Sequence, residues 1–166
     1  MKAIVAVDKK WGIGKKNDLL FSLPEDMKYF REKTLNKVVV MGSNTLKSFP
    51  NGKPLKNRTN VVLFPGGEKR DDCLVVDSLE ELSSVLKQYD TNDVFIIGGA
   101  MFYKTMLPYC DKVFVTKVEA DGGAEVFYEN LDELENWNMV SCSEPVETNG
   151  YTIRFTVYQN NAVKEF

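Results

Sequence analysis

The sequence predicts a mixed α/β domain, in which a β-sheet carries helices on its faces. Short apolar segments of strand length recur along the 166 residues, and helical segments alternate with them early in the chain. Strands outnumber helices, and the last third holds two strand-like segments that fit an antiparallel pair. With 43% hydrophobic residues, the chain can bury one substantial core. A single domain is therefore expected over residues 1–166, with a tail after about residue 159 that need not pack.

The first strand is predicted over residues 2–7, which are apolar after Lys2. Residues 8–22 contain Gly12 and Gly14 but no sustained periodicity, so a long loop is predicted there. Loops of this length inside compact domains often cover a functional site, although some are merely mobile. We therefore expect residues 8–22 to cover a site formed by the strands.

A helix is predicted to begin at Pro24, because the missing N–H of proline costs nothing in a first turn. Side chains three and four residues apart then share one face, which combines apolar groups with one carboxylate. They are Leu23, Asp26, Met27 and Phe30. Asp26 is thus a candidate acid or base, although an acidic residue in a first turn can also serve only to complement the helix dipole.

The remaining elements follow from similar patterns. Strands are predicted over residues 37–41, 58–63, 73–76, 94–97 and 113–118, with a closing antiparallel pair over 137–143 and 152–158. Helices are predicted over residues 45–49, from the capping box at Ser78 and Glu81, and from residue 101 to Pro108. The helix that follows the capping box is amphipathic and carries no evident chemistry.

Two of these strands run through glycine into a helix. Gly42 to Thr45 forms one such turn, and Gly98 to Ala100 forms the other. A helix N-terminus presents free backbone N–H groups that suit a phosphate, and glycine lets the backbone approach a ligand closely. The same residues also make ordinary helix caps, and the second turn lacks the full dinucleotide fingerprint. Each turn alone is a weak indication of a phosphate site.

Composition excludes several kinds of chemistry. The chain has no histidine, which rules out catalytic triads with a histidine base, histidine-ligated zinc and histidine phosphotransfer. Proton transfer must then fall to a carboxylate, tyrosine, lysine or water. Cys73, Cys110 and Cys142 have neither disulfide nor metal-ligand spacing, so no metal site is predicted. No membrane-spanning segment or signal peptide is recognisable, and a cytoplasmic enzyme or binding protein is expected.

Charge is divided unevenly along the chain. Residues 1–70 carry a balance of +9 and residues 71–166 a balance of −12, within a net charge of −3. If the first half lines a cleft, its excess of positive charge would attract an anionic ligand. The acidic remainder argues against a nucleic-acid surface. The alternative, that both halves only solvate their own surfaces, stays open on charge alone.

Taken in order, these features resemble the chromosomal bacterial type of dihydrofolate reductase over nearly the whole chain. The residues that carry the resemblance are Gly12, Ile13, Gly14, Leu23, Pro24, Asp26, Met41, Gly42, Thr45, Leu55, Arg58, Ile97, Gly98, Gly99, Tyr103 and Thr116. The family implies one domain with a central, mostly parallel eight-stranded sheet, flanking helices and a C-terminal antiparallel hairpin. It also implies a monomer that reduces 7,8-dihydrofolate to tetrahydrofolate for one-carbon metabolism and thymidylate synthesis, and that binds antifolate-type inhibitors.

In that family a hydride passes from NADPH to pterin C6, and N5 gains a proton. The resemblance places Asp26 at the pterin 2-amino group and N3, with Thr116 bridging to the same end, and Arg58 at the α-carboxylate of the glutamate tail. Phe21 stands where the family has a catalytic-site tryptophan. Substrate contacts are implied for Ile4, Val5, Ala6, Asp26, Met27, Phe30, Phe49, Leu55, Arg58, Ile97 and Thr116. Cofactor contacts are implied for Ala6, Ile13, Gly14, Asn17, Asp18, Leu19, Gly42, Ser43, Asn44, Thr45, Leu63, Phe64, Ile97, Gly98, Gly99, Ala100, Met101, Phe102 and Tyr103.

The sequence departs from the family's pattern in three places. Phe21 replaces the tryptophan, so a hydrogen-bond donor near the expected water is lost. The family's usual 2′-phosphate ligands are replaced by Ser43, Phe64 and Met101. Unless Asn44, Lys69 or Arg70 substitutes for them, weak discrimination between NADPH and NADH is expected, and NADH becomes usable. The loop over residues 121–127 is altered as well, so its contact with the covering loop is not carried over.

Two other functions compete with this interpretation. The pyrimidine reductase of riboflavin synthesis has the same fold and would keep the cofactor glycines, but it would not need Asp26 together with Phe30 and Arg58. A nucleotide-binding module without catalysis is the other alternative, because a fold alone does not determine function. Oxidation of the cofactor in the presence of dihydrofolate would decide among the three.

Overall fold

The computed structural model describes residues 1–166 and contains four α-helices and eleven strands. The helices are Pro24–Thr34 (α1), Ser43–Ser48 (α2), Leu79–Leu86 (α3) and Ala100–Met106 (α4). The strands are Lys2–Val7 (β1), Gly12–Gly14 (β2), Val38–Gly42 (β3), Thr59–Leu63 (β4), Leu74–Val76 (β5), Val94–Gly98 (β6), Lys112–Val118 (β7), Val126–Phe127 (β8), Trp137–Cys142 (β9), Val146–Thr148 (β10) and Tyr151–Asn160 (β11). Every helix and strand of the sequence prediction is present, with slightly shifted bounds.

One central sheet organises the domain, in the order β10, β11, β7, β1, β6, β3, β4, β5. The six strands from β7 to β5 in this order are parallel, and β11 is antiparallel to β7. β9 and β10 pair with successive parts of β11 and so share one edge position. The sheet therefore has eight positions, as predicted.

Side chains from the central strands alternate between two unequal layers. Val38 and Val40 join the main core with residues of α3 and α4, whereas Val39 and Met41 face the other side of the sheet. On that second side they pack with Leu46 and Val62 in a small cluster. The small cluster has half-buried neighbours, which are Phe49, Leu55, Phe64, Cys73 and Ile97. This side of the sheet is thus only partly covered by the chain itself.

Helix α1 is held mainly at its ends. The backbone N–H of Glu25 donates to Thr148 Oγ1 at 3.3 Å, and Asn149 Nδ2 donates to the carbonyl of Ser22 at 2.9 Å. Tyr29 stacks on Phe155, with ring centroids 4.2 Å apart. Thr34 is the only fully buried residue of the helix. Apart from this stacking most side chains of α1 are exposed, so the helix can form one wall of a cleft.

The capping box of α3 is confirmed with one change. Ser78 Oγ accepts the N–H of Glu81 at 3.1 Å, as predicted. The Glu81 carboxylate reaches back to the N–H of Asp77 at 2.8 Å, one residue before the cap. The box therefore also fixes the chain where β5 ends.

Two segments in which no strand was predicted contain regular structure. Within residues 8–22, β2 pairs antiparallel with β8, and a tight turn follows in which Lys16 and Asn17 have positive φ. Within residues 144–150, β10 pairs with β11. β2 was not predicted because it is short and contains glycine, so it leaves no local periodicity, and its partner β8 is distant in sequence. β10 was not predicted because its three residues are too few to show an alternating pattern.

The C-terminal residues contact the rest of the domain. The N–H of Lys164 donates to the carbonyl of Pro108 at 2.9 Å, and Phe166 packs on Tyr109 with ring centroids 5.0 Å apart. The three cysteines are unpaired, and Cys110 is fully buried. None of the helices has the length and apolar character needed to cross a membrane.

Candidate active site

The cleft begins where two central strands separate. β1 pairs with β6 only at Lys2 and Ala3, although it continues to pair with β7 as far as Val7. Beyond Ala3 the two strands diverge, with Ile4 on one side of the gap and Ile97 on the other. Ligands of open α/β sheets bind outside the carboxyl ends of the strands at such a break. The gap is therefore the expected binding position.

Asp26 of α1 and Thr116 of β7 meet beside this gap. The Thr116 hydroxyl donates to Asp26 Oδ1 at 2.6 Å, and Thr116 itself is 1% exposed. Thr116 lies opposite Ala6 of β1, which places the pair at the diverging end of that strand. Burial raises the pKa of the Asp26 carboxyl, and the hydrogen bond from Thr116 lowers it by less. The half-buried carboxyl has no cation partner to favour its charged form.

Apolar side chains line the partly covered face of the sheet. Phe49, Leu55 and Ile97 are half-buried and pack on the small cluster of the sheet, on the face that the chain leaves partly covered. Phe30 is half-buried on α1, one turn after Asp26, and Met27 is 62% exposed. Phe49, Leu55 and Ile97 thus share one partly covered face of the sheet, and Met27 and Phe30 lie on the helix that carries Asp26.

Arg58 lies just before β4 with its guanidinium held in place. Nε donates to Thr34 Oγ1 at 3.2 Å, and Nη1 donates to the carbonyl of Lys56 at 2.9 Å. The guanidinium lies 6.0 Å from the ring centre of Phe30. Burial, and then the charge of Arg31, lower the pKa of Arg58, and it forms no ion pair with a carboxylate. A fixed guanidinium without an acid partner suits the carboxylate of a ligand.

Comparison with known proteins decides the family. The dihydrofolate reductase family model matches residues 1–160. A dihydrofolate reductase of Bacillus subtilis is 33% identical over 94% of this chain and 92% of its own length, and one of Haemophilus influenzae is 31% identical over 93% and 94%. The chain belongs to the dihydrofolate reductase family. A solved dihydrofolate reductase from Enterococcus faecalis, complexed with NADP(H) and RAB-propyl, superposes with a TM-score of 0.84 at 31% identity, covering 96% of this chain and 95% of that one.

The two glycine turns of the chain lie against each other. A Cβ on Gly98 would lie 2.8 Å from Thr45 Oγ1, and the φ of Gly98 is +140°. A Cβ on Gly42 would come within 3.9 Å of Phe102. Gly42 and Gly99, the N-cap residues of α2 and α4, supply no side-chain acceptor for the first N–H groups. The first N–H groups of both helices therefore have no side-chain cap, and at the point where the two turns meet Gly98 cannot be replaced without strain. Uncapped N–H groups at two adjoining helix starts are suited to the diphosphate of a dinucleotide.

The other predicted cofactor residues differ in their exposure. Ala6, Ile13, Ser43, Leu63, Phe64 and Ala100 are half-buried, Gly14 is buried, and Asn17, Asp18, Leu19, Asn44 and Met101 are exposed. Phe102 and Tyr103 are buried in the main core. The Tyr103 hydroxyl donates to the carbonyl of Ile4 at 2.7 Å. Tyr103 therefore orients the backbone at the strand gap.

Two proposed substitutes for the family's 2′-phosphate ligands are already engaged. Arg70 makes two hydrogen bonds to Asp72, at 2.8 and 2.7 Å, and one to the carbonyl of Gly52. Lys69 donates to the carbonyl of Val75 at 2.7 Å and lies 3.6 Å from a carboxylate oxygen of Glu81. Neither side chain offers a free cation to the cofactor.

The covering loop is tied to the loop at residues 119–125, by contacts that the altered sequence did not predict. The buried Asp8 carboxylate accepts the N–H groups of Gly12 at 2.7 Å and Gly122 at 3.0 Å. Glu125 accepts the N–H of Lys16 at 2.9 Å. Asp8 lies four residues before Gly12, and this combination indicates a local turn. No residue near Glu125 in the sequence indicates its contact with Lys16.

Phe21 packs beneath the same loop. Its ring meets Tyr151 edge to face, with centroids 4.8 Å apart. A Cβ on Gly122 would come within 2.9 Å of the Phe21 ring. Phe21 thus supplies packing at the end of the covering loop and no hydrogen bond. Sequence reasoning also missed Thr34 and Thr148, which hold Arg58 and the start of α1, because hydroxyl partners of this kind leave no pattern.

Proposed function

We propose that this protein reduces 7,8-dihydrofolate to 5,6,7,8-tetrahydrofolate with NADPH as the hydride donor. The observation that carries the proposal is the half-buried Asp26, bonded to Thr116 beside the gap between β1 and β6 and lacking any cation partner. Such a carboxyl group is suited to a heterocycle with adjacent N–H donors. Membership of the dihydrofolate reductase family supports the same reaction.

The pterin ring is proposed to lie in the strand gap. Asp26 would accept from the 2-amino group and N3, while Thr116 holds its carboxyl in one orientation. Further proposed contacts of the pterin and aminobenzoyl rings are Ile4, Val5, Ala6, Met27, Phe30, Phe49, Leu55 and Ile97. Arg58 would bind the α-carboxylate of the glutamate tail, since its guanidinium is held by Thr34 and has no acid of its own.

The chain's contribution to the chemistry is alignment, exclusion of water and polarisation. When bound, the nicotinamide cofactor supplies the hydride. Holding two reactants face to face can lower the barrier by roughly 7–11 kcal/mol, because the step becomes effectively intramolecular. Asp26 orients the ring and raises the proton affinity of N5, and a water molecule beneath residues 12–20 delivers the proton. The apolar wall formed by Phe49 and Leu55 strengthens these electrostatic effects by excluding bulk water.

The cofactor is proposed to bind along the carboxyl ends of the central strands. Ala6 and Ile13 would contact the carboxamide through their main chains, with Gly14, Asn17, Asp18 and Leu19 as further contacts in the covering loop. Gly42 to Thr45 and Gly98 to Tyr103 would contact the diphosphate. Leu63 and Phe64 would contact the adenosine. Because Ser43, Phe64 and Met101 carry no charge and Lys69 and Arg70 are engaged, we expect weaker discrimination between NADPH and NADH than the family usually shows.

The decisive experiment follows cofactor absorbance with purified protein. We expect NADPH oxidation that depends on dihydrofolate, with measurable turnover when NADH replaces it. Oxidation only with the aminopyrimidine substrate of riboflavin synthesis would overturn the proposal in favour of that reductase. Cofactor binding without oxidation of either kind would indicate a binding module. A strong NADPH preference would contradict only the proposed weak discrimination and would leave the proposed reaction standing. The monomeric state and cytoplasmic location predicted from the sequence stay predictions.

A further inference from the structure

The order of strands gives the bound dinucleotide a direction. The gap lies between β1 and β6, the two glycine turns end β6 and β3, and β4 is the next strand outward. If the reacting rings occupy the gap and the diphosphate occupies the turns, the adenosine can continue only toward the end of β4. Phe64 stands at that end and is half-buried.

Lys47 is placed beside this position. It follows Ser43 by four residues on α2 and therefore lies on the same helix face as the start of the turn. Its Nζ is 4.9 Å from the ring centre of Phe64, and it is exposed with no carboxylate partner. Phe64 is itself fixed, because its ring fills the space that a Cβ on Gly67 would need. The ammonium group is thus held near the adenosine position by an aromatic ring.

We propose that Lys47 contacts the 2′-phosphate of NADPH and determines the remaining preference of this chain for NADPH over NADH. The proposal rests on the proposed function. Arg70 would have to give up both hydrogen bonds to Asp72 to serve instead, and Lys69 is bound between strand and helix. The Asp77 carboxylate accepts the N–H of Gly66, two residues after Phe64, at 2.6 Å. Its negative charge repels a phosphate bound there. A single exposed lysine therefore gives a small preference.

Binding measurements with two matched ligand pairs test this inference. Dissociation constants are measured for NADPH against NADH, and for adenosine 2′,5′-bisphosphate against AMP. For Lys47→Gln we expect affinity for NADPH and the bisphosphate to fall about fivefold, because an exposed charge pair in water contributes little more. Affinity for NADH and AMP should not change, which also shows that the variant is folded. The difference in NADPH affinity between the wild-type protein and Lys47→Gln should shrink as salt is added.

Lys87→Gln is the matched control. It removes the same charge just after α3, at the amino ends of the strands and away from the site, and should change none of the four affinities. An unchanged ratio of NADPH to NADH affinity in Lys47→Gln would overturn the inference. A loss of that ratio in Arg70→Gln but not in Lys47→Gln would also overturn it and assign the contact to Arg70. Dihydrofolate reduction by the wild-type protein is measured separately, so failure of this inference would leave the proposed function standing.

Discussion

The two ends of the cleft differ in how their polar groups meet water. At the gap end, Asp26 is half-buried against a hydroxyl that is fully buried, and no other charge is present. At the outer end, Lys47, Asn44 and Met101 are exposed, and the neighbouring charges are already paired with each other. A polar contact is stronger in the poorly solvated end than in the exposed one. The gap end should therefore control the reaction, and the outer end should only adjust the choice of cofactor.

Asp26→Asn tests the gap end most severely. Asparagine keeps the shape but cannot carry the negative charge that polarises the ring, so we expect most turnover near neutral pH to be lost, by about 10²- to 10⁴-fold. The fold should be retained. Rates equal to those of the wild-type protein would refute the assignment of Asp26.

The same substitution should make the protein more stable relative to the wild-type protein as pH rises. Burial raises the pKa of the Asp26 carboxyl, so the folded protein holds this proton more tightly than the unfolded chain. The contribution of Asp26 to wild-type stability therefore declines as pH rises from the ordinary value of 3.8 through the raised one, and Asp26→Asn lacks this pH-dependent contribution. Denaturant titrations of both proteins across that window should show the variant gaining relative stability. A constant difference would mean that the carboxyl is not desolvated.

The comparison also shows what the sequence could specify. Asp26 was predicted from local helical spacing, and the glycine turns from strand-to-helix transitions, because both signals lie within a few residues. Thr116 lies ninety positions from Asp26, so only the family resemblance pointed to it. The contacts of Asp8 with Gly122 and of Glu125 with Lys16 were not predicted at all. They arise from the approach of two loops whose mutual position is set by the whole sheet.

Arg58→Lys should have the next largest effect. Lysine keeps the charge but not the planar guanidinium that can donate two parallel hydrogen bonds to one carboxylate. We expect KM for dihydrofolate to rise about tenfold or more with little change in kcat, since the glutamate tail lies away from the reacting atoms. Steady-state kinetics with dihydrofolate measure this. A folate analogue without the glutamate is the control, and its KM should not respond to the substitution. A fall in kcat alone would contradict the assigned role.

Thr116→Val should produce a smaller, directional change at the gap. The hydroxyl hydrogen bond lowers the pKa of Asp26, so its removal should raise that pKa further. NMR titration of the Asp26 carboxyl carbon measures the shift without reference to turnover. Thr116→Ser, which restores the donor, is the matched control and should return the pKa toward the wild-type value. A lower pKa of Asp26 in Thr116→Val would contradict the inference that the hydrogen bond from Thr116 stabilises the ionised carboxylate.

Glu125→Ala should have the smallest effect, because the lost hydrogen bond to the N–H of Lys16 is exposed. Such a bond contributes about 0.5–1 kcal/mol, so opening of the turn at residues 15–18 should become only a few times more frequent. Hydrogen exchange of the amides in this turn measures the change, and Glu125→Gln, which keeps an acceptor oxygen, is the matched control. The buried Asp8 anchors the same loop through Gly12 and Gly122, so Asp8→Ala should loosen it far more than Glu125→Ala does. Equal effects of the two substitutions would show that burial does not set the strength of these contacts, and the contrast between the two ends of the cleft would lose its physical basis.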